Sequence, residues 1–427
     1  MRHSNLLFYT YPPTTRTRYI VDFIFTNLLG IHVLYADKEA DWLQSPLPKI
    51  WYGKVDNAPK TEGLIVAQHH SILTEKGVNR PVNLHFEEDG LAHAFFELSR
   101  YEEYIAKNRD IHGRFTGVQS HAFKKGYLHR PIVHEIAEAF KQKLSQRYPN
   151  LSFKDIKPCF LPTYDIDAAW RYTHKGWGRN FLAISRDILK GDFKNLRTRM
   201  QVQQGRVEDP DFVFSYLDKL HQNYSLKPIF FWLLGDYGKY DINIAHDNGH
   251  LQDLIREIAN QYEVGIHPSY RSNQAASILK MEIHRLNQIL KSKSIEITSN
   301  RQHFLKLTLP ETYRRLLAAG ITNDYTMGYA DQLGFRAGVA IPFNWYDIEN
   351  EMITDLKIHS FQVMDVTLQQ YLKLSPQEAI EAVKPLIAST KRFGGTFTTL
   401  WHNSSLSETA EWRGWRAVYE TIIQMAS

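Results

Sequence analysis

The sequence predicts an α/β fold for roughly its C-terminal two-thirds. From residue 157 onward, short apolar runs typical of strands alternate with segments whose apolar residues recur at helical spacing. The strand candidates are residues 159–164, 228–234, 263–267, 295–299, 321–325, 361–366 and 395–401. About seven strands with interleaved helices favour a (β/α) barrel or a distorted doubly wound sheet. Spacing alone does not separate these two architectures.

The residues before this pattern predict a separate, smaller α+β domain. A length of 427 residues favours two domains. Residues 132–144 follow Pro131 and have one apolar face, as expected for a helix, and residues 63–67 predict a short strand. Residues 148–150 are turn-rich. We therefore expect an N-terminal domain over residues 1–152, whose role the sequence does not indicate, and a second domain over 153–427.

Local signals fix several helix ends in the second domain. Ser375-Pro-Gln-Glu378 is a capping box with proline at the first helical position, and Pro310 and Gly320 bracket a short helix. Ser407 is predicted to cap the last helix. The buried face of that helix is predicted to comprise Trp412, Trp415, Tyr419 and Ile422.

One segment, residues 171–210, interrupts the alternation. It is helix-prone and contains nine Lys or Arg residues against four Asp or Glu residues, together with apolar residues such as Trp177 and Leu189. One interpretation is a solvated helical hairpin packed on the second domain. The other is a basic, partly apolar lid that attracts an anionic or membrane-linked substrate.

Composition excludes several classes of function. The net charge of +5 is modest and no nucleic-acid-binding motif is present, so a nucleic-acid partner is not expected. The single cysteine, Cys159, excludes an internal disulfide and a cysteine-based zinc cluster, and its apolar surroundings predict that it is buried. No secretory signal or membrane span is recognised. We expect a cytoplasmic protein, with peripheral contact to the inner membrane as a possibility.

Chemistry-bearing residues cluster at the predicted strand ends. Asp165 and Asp167 close the first strand of the second domain, and two carboxylates this close repel each other unless a cation lies between them. His267, His303 and His402 each close a later strand-like run. Because catalytic groups gather at the carboxyl ends of strands in such folds, these groups are candidates for one metal site.

The order of these motifs resembles the polysaccharide deacetylase family, whose members share the chitooligosaccharide deacetylase (NodB) homology domain. The resemblance covers roughly residues 157–427, and the whole chain resembles an uncharacterised bacterial two-domain branch of that family. The matching motifs are Thr163-Tyr164-Asp165 with Asp167, His267-Pro-Ser-Tyr-Arg271, Arg301-Gln-His303 and Leu400-Trp-His402. The resemblance implies a deacetylase-type distorted (β/α) barrel and hydrolytic removal of N-acetyl groups from an amino-sugar glycan or its precursor.

The resemblance also implies a role for each motif residue. Asp165 would be the general base, with Arg301 orienting its carboxylate, and Asp167 and His267 would be ligands of a divalent metal, zinc by default. His402 would be the general acid with a near-neutral pKa, and Asp365 would hold its ring.

Two departures from the family pattern change this assignment. Ile166 is inserted between the two aspartates, so the base and ligand roles of Asp165 and Asp167 are open to exchange. Arg271 occupies the place of the second metal histidine. We expect His303, at the next strand end, to replace it.

Residues near the predicted rim are candidates for substrate binding. Tyr325 and Tyr329 have ring faces on which a sugar stacks, and Arg336 suits a carboxylate or phosphate. Arg271 and Trp401 flank the predicted metal ligands and the general acid, which makes them further candidates.

Three functions remain open from the sequence. The first is a carbohydrate N-deacetylase acting on a glycan or on a lipid- or nucleotide-linked precursor. The second is a relative without catalysis that binds glycan, as Arg271 at a ligand position indicates. The third is an amidohydrolase acting on another C–N bond.

Overall fold

Two sheets organise the part of the chain that the structure describes. The structure is a computed structural model, and it describes residues 5–59, 63–78, 86 and 88–427. The first sheet has the strand order β2-β1-β3-β4 and is entirely parallel. Its strands are β1 (Asn5–Thr10), β2 (His32–Tyr35), β3 (Lys49–Gly53) and β4 (Leu64–Ala67).

The second sheet lies within residues 158–402, all of which are described, and has nine strands in the order β10-β11-β9-β8-β7-β6-β5-β13-β12. All neighbours are parallel except the β10–β11 pair. The strands are β5 (Pro158–Ile166), β6 (Ile229–Trp232), β7 (Glu263–Ile266), β8 (Ser299–Asn300), β9 (Asn323–Asp324), β10 (Phe343–Asp347), β11 (Met352–Ile358), β12 (Val363–Met364) and β13 (Gly395–His402).

Helices flank both sheets. In the N-terminal part they are α1 (Thr15–Val21), α2 (Glu39–Gln44), α3 (Gly90–Leu98), α4 (Tyr101–Ile105), α5 (His121–Lys124) and α6 (Ile132–Arg147), with a π-helical turn at Asp22–Leu28 continuing α1. In the remainder they are α7 (Trp177–Leu189), α8 (Phe193–Gln203), α9 (Phe214–Asn223), α10 (Gly249–Ile258), α11 (Ala276–Leu290), α12 (Glu311–Ala318), α13 (Pro376–Phe393) and α14 (Trp415–Ala426). Of the described helices, none combines the length and the apolar character needed to cross a membrane.

Each of the seven predicted strands corresponds to a strand of the second sheet, but the sheet has two ends. Its order runs from β10 to β12, and no strand pairing within residues 158–402 joins those ends. The expected closure into a barrel is therefore not seen, whereas the expected parallel α/β sheet is present. The β10–β11 hairpin at one edge of the sheet was not predicted. In β11 buried residues alternate with exposed ones, and a search for continuous apolar runs overlooks that half-exposed pattern.

The N-terminal residues pack closely against the later ones. One cluster of buried apolar side chains includes Phe25 and Phe140 as well as Phe343 and Trp345. The backbone N–H of Val133 donates to the carbonyl oxygen of Gly338 at 2.9 Å. The boundary between residues 152 and 153 stays a prediction, and part of the 1–152 segment lies outside the described residues.

The predicted capping box is present, whereas the cap of the last helix was predicted wrongly. The Ser375 side chain accepts from the Glu378 N–H, and the Glu378 carboxylate accepts from the Ser375 N–H, at the start of α13. Helix α14 begins only after Gly414, where the Glu408 carboxylate accepts from two backbone N–H groups. The Ser407 hydroxyl instead accepts from Arg171 at 3.2 Å and lies 2.9 Å from the hydroxyl of Thr409. Trp415, Tyr419 and Ile422 of α14 are buried as expected, and Trp412 is buried in the turn before the helix.

The prediction for Cys159 was also wrong, because its side chain is exposed. It lies in the first residues of β5, which extend to the surface before the strand enters the core.

Candidate metal centre and active site

Seven of the predicted site residues lie at one edge of the second sheet. The strands that carry them are parallel, so their carboxyl ends meet at the same edge. The residues at or just after these strand ends are Asp165, Asp167, His267, Arg301, His303, Asp365 and His402. The register brings them together: His402 of β13 is paired with Asp165 of β5, and Ile266 of β7 with Asn300 of β8. A cavity of about 460 Å³ lies there.

His267 directs its Nε2 atom into this cavity. Its Nδ1 lies 2.6 Å from the carbonyl oxygen of Arg301, and since a carbonyl can only accept, Nδ1 is the protonated nitrogen. The buried Nε2 has no hydrogen-bond partner among the described residues. It lies 3.4 Å from Oδ1 of Asp167 and 3.6 Å from Oδ2 of Asp165. A lone pair facing two carboxylates is unfavourable unless a proton or a cation lies between them.

His303 repeats the arrangement. Its Nδ1 lies 2.9 Å from Oδ1 of Asp241, and its Nε2 lies 3.5 Å from the same Asp167 oxygen that faces His267. Burial lowers the pKa of His303, but the carboxylates of Asp167 and Asp241 outweigh it and raise the pKa to about 9. A carboxylate that accepts from the Nδ1 proton of a histidine and leaves Nε2 for a metal is a common feature of metal sites.

The donor set fits a divalent cation. The ligand atoms of Asp167, His267 and His303 all lie within 4.8 Å of one another. The Asp167 side chain is 39% exposed, yet its Oδ1 is buried and makes no hydrogen bond within the described part of the chain. Burial raises the pKa of Asp167, and the charge of His303 reverses this effect, so the pKa lies well below its ordinary value. Two imidazole nitrogens and one carboxylate oxygen are a normal set for zinc that keeps a position open.

Asp165 is held beside this cluster by Arg301. The Nη1 group of Arg301 donates to Oδ1 of Asp165 at 3.0 Å, and its Nε donates to the carbonyl oxygen of Tyr325 at 2.9 Å. Arg301 is fully buried, with its guanidinium 4.6 Å from the centre of the Phe231 ring. A guanidinium fixed at two points can hold the carboxylate of Asp165 in one orientation.

His402 and Asp365 form a second pair at the cavity. The Nδ1 atom of His402 lies 3.0 Å from a carboxylate oxygen of Asp365, which is completely buried and also accepts from the backbone N–H of His402. Burial lowers the pKa of His402, but Asp365 raises it to about 10. The imidazole is thus more basic than the near-neutral value expected from the sequence, because the carboxylates of Asp365, Asp167 and Asp165 all favour its charged form.

All five predicted substrate-binding residues lie outside the lining of the cavity. Trp401 is completely buried and packs 4.7 Å from Tyr419, centre to centre. Because side chains alternate along a strand, Trp401 faces away from the site that His402 faces. Tyr325 is also buried, 4.3 Å from the ring of His359. Packing, not stacking on a sugar, accounts for both residues.

Arg336 and Tyr329 belong to a buried ionic network. Arg336 donates two hydrogen bonds to the carboxylate of Glu103, at 2.9 and 2.6 Å, and the hydroxyl of Tyr329 accepts from Arg100 at 2.9 Å. Both side chains are buried and join the N-terminal part to the rest. Arg271 is exposed on the turn Tyr270–Asn273 and does not line the cavity. These placements correct the prediction that the three residues bind substrate.

Two residues of the site were missed in the sequence. Asp241 follows β6, a predicted strand to which no polar group was assigned, and the polar loop after that strand was the available signal. Arg114 comes from the N-terminal part and lines the cavity. It donates to the carbonyl oxygen of Phe304 at 2.9 Å and to the hydroxyl of Tyr371 at 2.8 Å. The sequence leaves a functional role open for the loop of His112 and Arg114 but favours a structural one.

Residues 6–149 match a family of unknown function, DUF7033, and no curated protein matches the chain. A proposed polysaccharide deacetylase from Mycobacterium smegmatis is similar in structure, with 15% identity and a TM-score of 0.40, over 64% of this chain and 84% of the other. A family 4 carbohydrate esterase from Streptomyces lividans, in complex with acetate, has 12% identity and a TM-score of 0.31 over 63% and 88%.

A third solved structure has a different activity in its name. The 4-alpha-glucanotransferase from Thermococcus litoralis has 11% identity and a TM-score of 0.37 over 64% of this chain and 38% of the other. At such low identities and TM-scores, the function of the site has to be inferred from its own geometry.

Proposed function

We propose that this protein is a metal-dependent hydrolase that removes N-acetyl groups from an amino-sugar glycan or its lipid- or nucleotide-linked precursor. One observation carries the proposal: the Nε2 atoms of His267 and His303 both face the same buried oxygen of Asp167 inside a cavity. Both histidines use Nδ1 for another contact, which leaves Nε2 available as a ligand.

Asp167, His267 and His303 would hold the cation. When bound, a divalent metal polarises the attacked carbonyl and makes water a usable nucleophile near neutral pH. Zinc is the proposed metal, since nitrogen and carboxylate ligands in this number suit it. His303 thus takes the place that Arg271 fills in the linear motif.

The remaining residues supply proton transfer. Asp165, oriented by Arg301, accepts the proton of the attacking water as general base. His402 donates a proton to the departing amine, and the hydrogen bond from its Nδ1 to Asp365 leaves Nε2 as the donor. Asp165 and His402 are register partners on neighbouring strands, which supports their proposed roles as base and acid.

The side chains that line the cavity suit a substrate whose reacting group is a small acyl group. Beside the ionisable groups and Gln370, the lining includes the apolar side chains of Leu305, Met364, Val366 and Leu400. An apolar wall next to a polarising centre fits the methyl and carbonyl ends of an acetamide.

Acetate release and metal content test the proposal together. Purified protein loaded with zinc is incubated with N-acetylglucosamine oligomers, and acetate and bound zinc are measured for the wild type, Asp165→Asn and Arg271→Ala. We expect acetate release by the wild type and Arg271→Ala, and a loss of at least about 100-fold in Asp165→Asn with zinc retained. Bound zinc without acetate release would indicate another C–N bond as the target. Glycan binding without zinc would indicate a relative that has lost catalysis.

A further inference from the structure

Helices α7 and α8 form a hairpin (residues 177–203) with an unusual outer surface. Several of its large apolar side chains are exposed rather than packed, with between 49% and 87% of their surface accessible. These are Trp177, Phe181, Leu182, Ile188, Leu189, Phe193 and Met200. Apolar groups in such number on one element mark an interaction surface.

The apolar side chains of α7 lie together on one side of the helix. Trp177, Phe181 and Ile188 follow the helical repeat, and Leu182 and Leu189 form the adjacent row. On another side, Asp187 is buried and forms an ion pair with Arg199 of α8, with the two atoms 3.0 Å apart. The inner side of the hairpin is therefore tied down, and its apolar side faces outward.

Contacts to the rest of the chain fix this orientation. Arg179 donates to the carbonyl oxygen of Asn243 at 2.8 Å, and its guanidinium lies 4.1 Å from the centre of the Tyr237 ring. The Arg199 guanidinium lies 4.8 Å from the centre of the Tyr172 ring. These contacts show that the hairpin is packed through its inner side. Its apolar surface therefore faces outward although the hairpin is packed.

Positive charge surrounds the apolar surface. Residues 171–210 contain nine Lys or Arg residues and four Asp or Glu residues. Arg186, Lys190, Lys194 and Arg197 are exposed. Within the described part of the chain, the ion pairs of this segment involve Arg171 and Arg199 and none of these four.

We propose that the hairpin binds the surface of an anionic lipid bilayer. A helix with aromatic and aliphatic residues on one side and unpaired cations beside them can bury the former among acyl chains while the latter contact anionic headgroups. Helix α7 has 13 residues, about 20 Å at 1.5 Å per residue, so it would lie in the membrane plane. A protein partner would satisfy the apolar side chains equally well, but the four flanking cations favour an anionic surface.

Vesicle sedimentation with the full chain tests this inference independently of enzymatic activity. We expect the protein to sediment with phosphatidylcholine vesicles that contain phosphatidylglycerol, not with phosphatidylcholine alone, and less as salt is raised. The double variants Phe181→Ser/Leu182→Ser and Arg186→Glu/Lys190→Glu should each bind about tenfold more weakly. All four residues are exposed, so the fold should survive, which circular dichroism verifies.

Matched variants outside the hairpin provide the controls. Ile111→Ser removes an apolar side chain that is 93% exposed, and Lys124→Glu/Lys125→Glu reverses two exposed charges. Both should bind vesicles like the wild type. The inference is overturned if the wild type ignores phosphatidylglycerol vesicles, or if hairpin and control variants bind equally. A wild-type dimer in gel filtration that Phe181→Ser/Leu182→Ser converts to a monomer would also overturn it, because a second copy would then cover the surface.

Discussion

The Nδ1 atom of His303 lies 2.9 Å from a carboxylate oxygen of Asp241. This contact determines which side of the imidazole is available, because a carboxylate accepts the Nδ1 proton and leaves Nε2 facing Asp167. Asp241 comes from the loop after β6, and His303 comes from the loop after β8, so β7 and His267 lie between them in the sheet. The proposed metal centre thus rests on three neighbouring strand ends and on Asp167 after β5.

Replacing His303 should remove the metal. We expect His303→Ala to lose the zinc that the wild type retains through gel filtration, because only two of the three ligand side chains remain. Metal analysis by mass spectrometry measures this loss. Arg271→Ala is the matched control, since Arg271 lies outside the cavity and its removal should leave the zinc content unchanged. Equal zinc in both variants would contradict the assignment of His303 as a ligand.

Replacing Asp241 should weaken the site without abolishing it. In Asp241→Asn all three ligands remain, but the amide no longer supplies a charge that favours the Nδ1 proton. Comparable changes around metal ligands cost about 10–100-fold in affinity, which is the expected loss here. Competition with a zinc-binding dye measures the dissociation constant. An unchanged constant would show that the hydrogen bond to Asp241 does not support the ligand.

The pH dependence of activity should reveal the Asp365–His402 pair. Asp365 raises the pKa of His402 to about 10, and the proposed acid works only while it is protonated. Activity should therefore fall as pH rises through the pKa of His402. In Asp365→Asn the raising charge is lost, so the alkaline limb of kcat/KM should move to lower pH by at least about one unit. A bound divalent metal would lower the pKa of His402 in both the wild type and Asp365→Asn, but the wild-type pKa would remain the higher of the two. An alkaline limb in the same place in both proteins would rule out His402 as the group responsible.

The ionisable residues at the strand ends could be predicted from the sequence, because a short apolar run and the polar residue after it show where a strand ends. Each of Asp165, His267, His303 and His402 follows or ends an apolar run, and parallel strands necessarily bring such ends to one edge. It could be inferred in the same way that His303, rather than the residue at position 271, lies beside Asp167. The structure places His303 where that inference requires, while its role as a ligand stays a prediction.

The substrate-binding residues could not be predicted, because their surroundings are set by distant parts of the chain. The partner of Arg336 is Glu103, which lies 233 positions earlier, and nothing in the Gly-Phe-Arg-Ala-Gly context indicates that contact. Trp401 was assigned from its neighbour His402, although adjacent strand residues face opposite ways. Closure of the sheet likewise depends on long-range pairing at its edges, including the overlooked β10–β11 hairpin.

Arg336 should matter for stability rather than for substrate. Its guanidinium and the Glu103 carboxylate are both about 2% exposed, so Arg336→Gln would leave a buried carboxylate with one fewer cation. Breaking a buried pair in this way costs about 3–5 kcal/mol of unfolding free energy. Urea unfolding measures the cost, and Arg271→Gln, at an exposed position, should change it by less than about 0.5 kcal/mol. A stable Arg336→Gln protein with a raised KM would restore the substrate-binding interpretation.

The same network should make stability sensitive to acid. Burial alone would raise the pKa of Glu103, but Arg336 and Arg100 lower it from 4.5 to about 2. A depressed carboxyl pKa contributes stability above its unfolded value, and that contribution is lost as pH falls from about 4.5 towards 2. The difference in unfolding free energy between the wild type and Glu103→Gln should therefore shrink as pH is lowered through this range. A difference that does not vary with pH would show that Glu103 is not titrating in the network.

Arg114 should couple the N-terminal part of the chain to the active site. It donates to the carbonyl oxygen of Phe304, which follows His303 and has a φ of 60°, a left-handed conformation that is unfavourable for a phenylalanine. Without that hydrogen bond, the turn carrying His303 should relax. We expect Arg114→Leu to weaken zinc binding and to raise KM more than it lowers kcat, since Arg114 also donates to Tyr371 at the cavity wall.

The control for Arg114 is an arginine of the same part of the chain that lies away from the cavity. Arg130 is 55% exposed and pairs with Glu135, so Arg130→Leu should leave zinc binding, KM and kcat unchanged. If Arg114→Leu behaves like Arg130→Leu, then Arg114 has no role in zinc or substrate binding. The segment that matches DUF7033 would then not contribute to the site through this residue. If zinc affinity and KM change while circular dichroism shows an intact fold, the N-terminal part completes the active site rather than merely accompanying it.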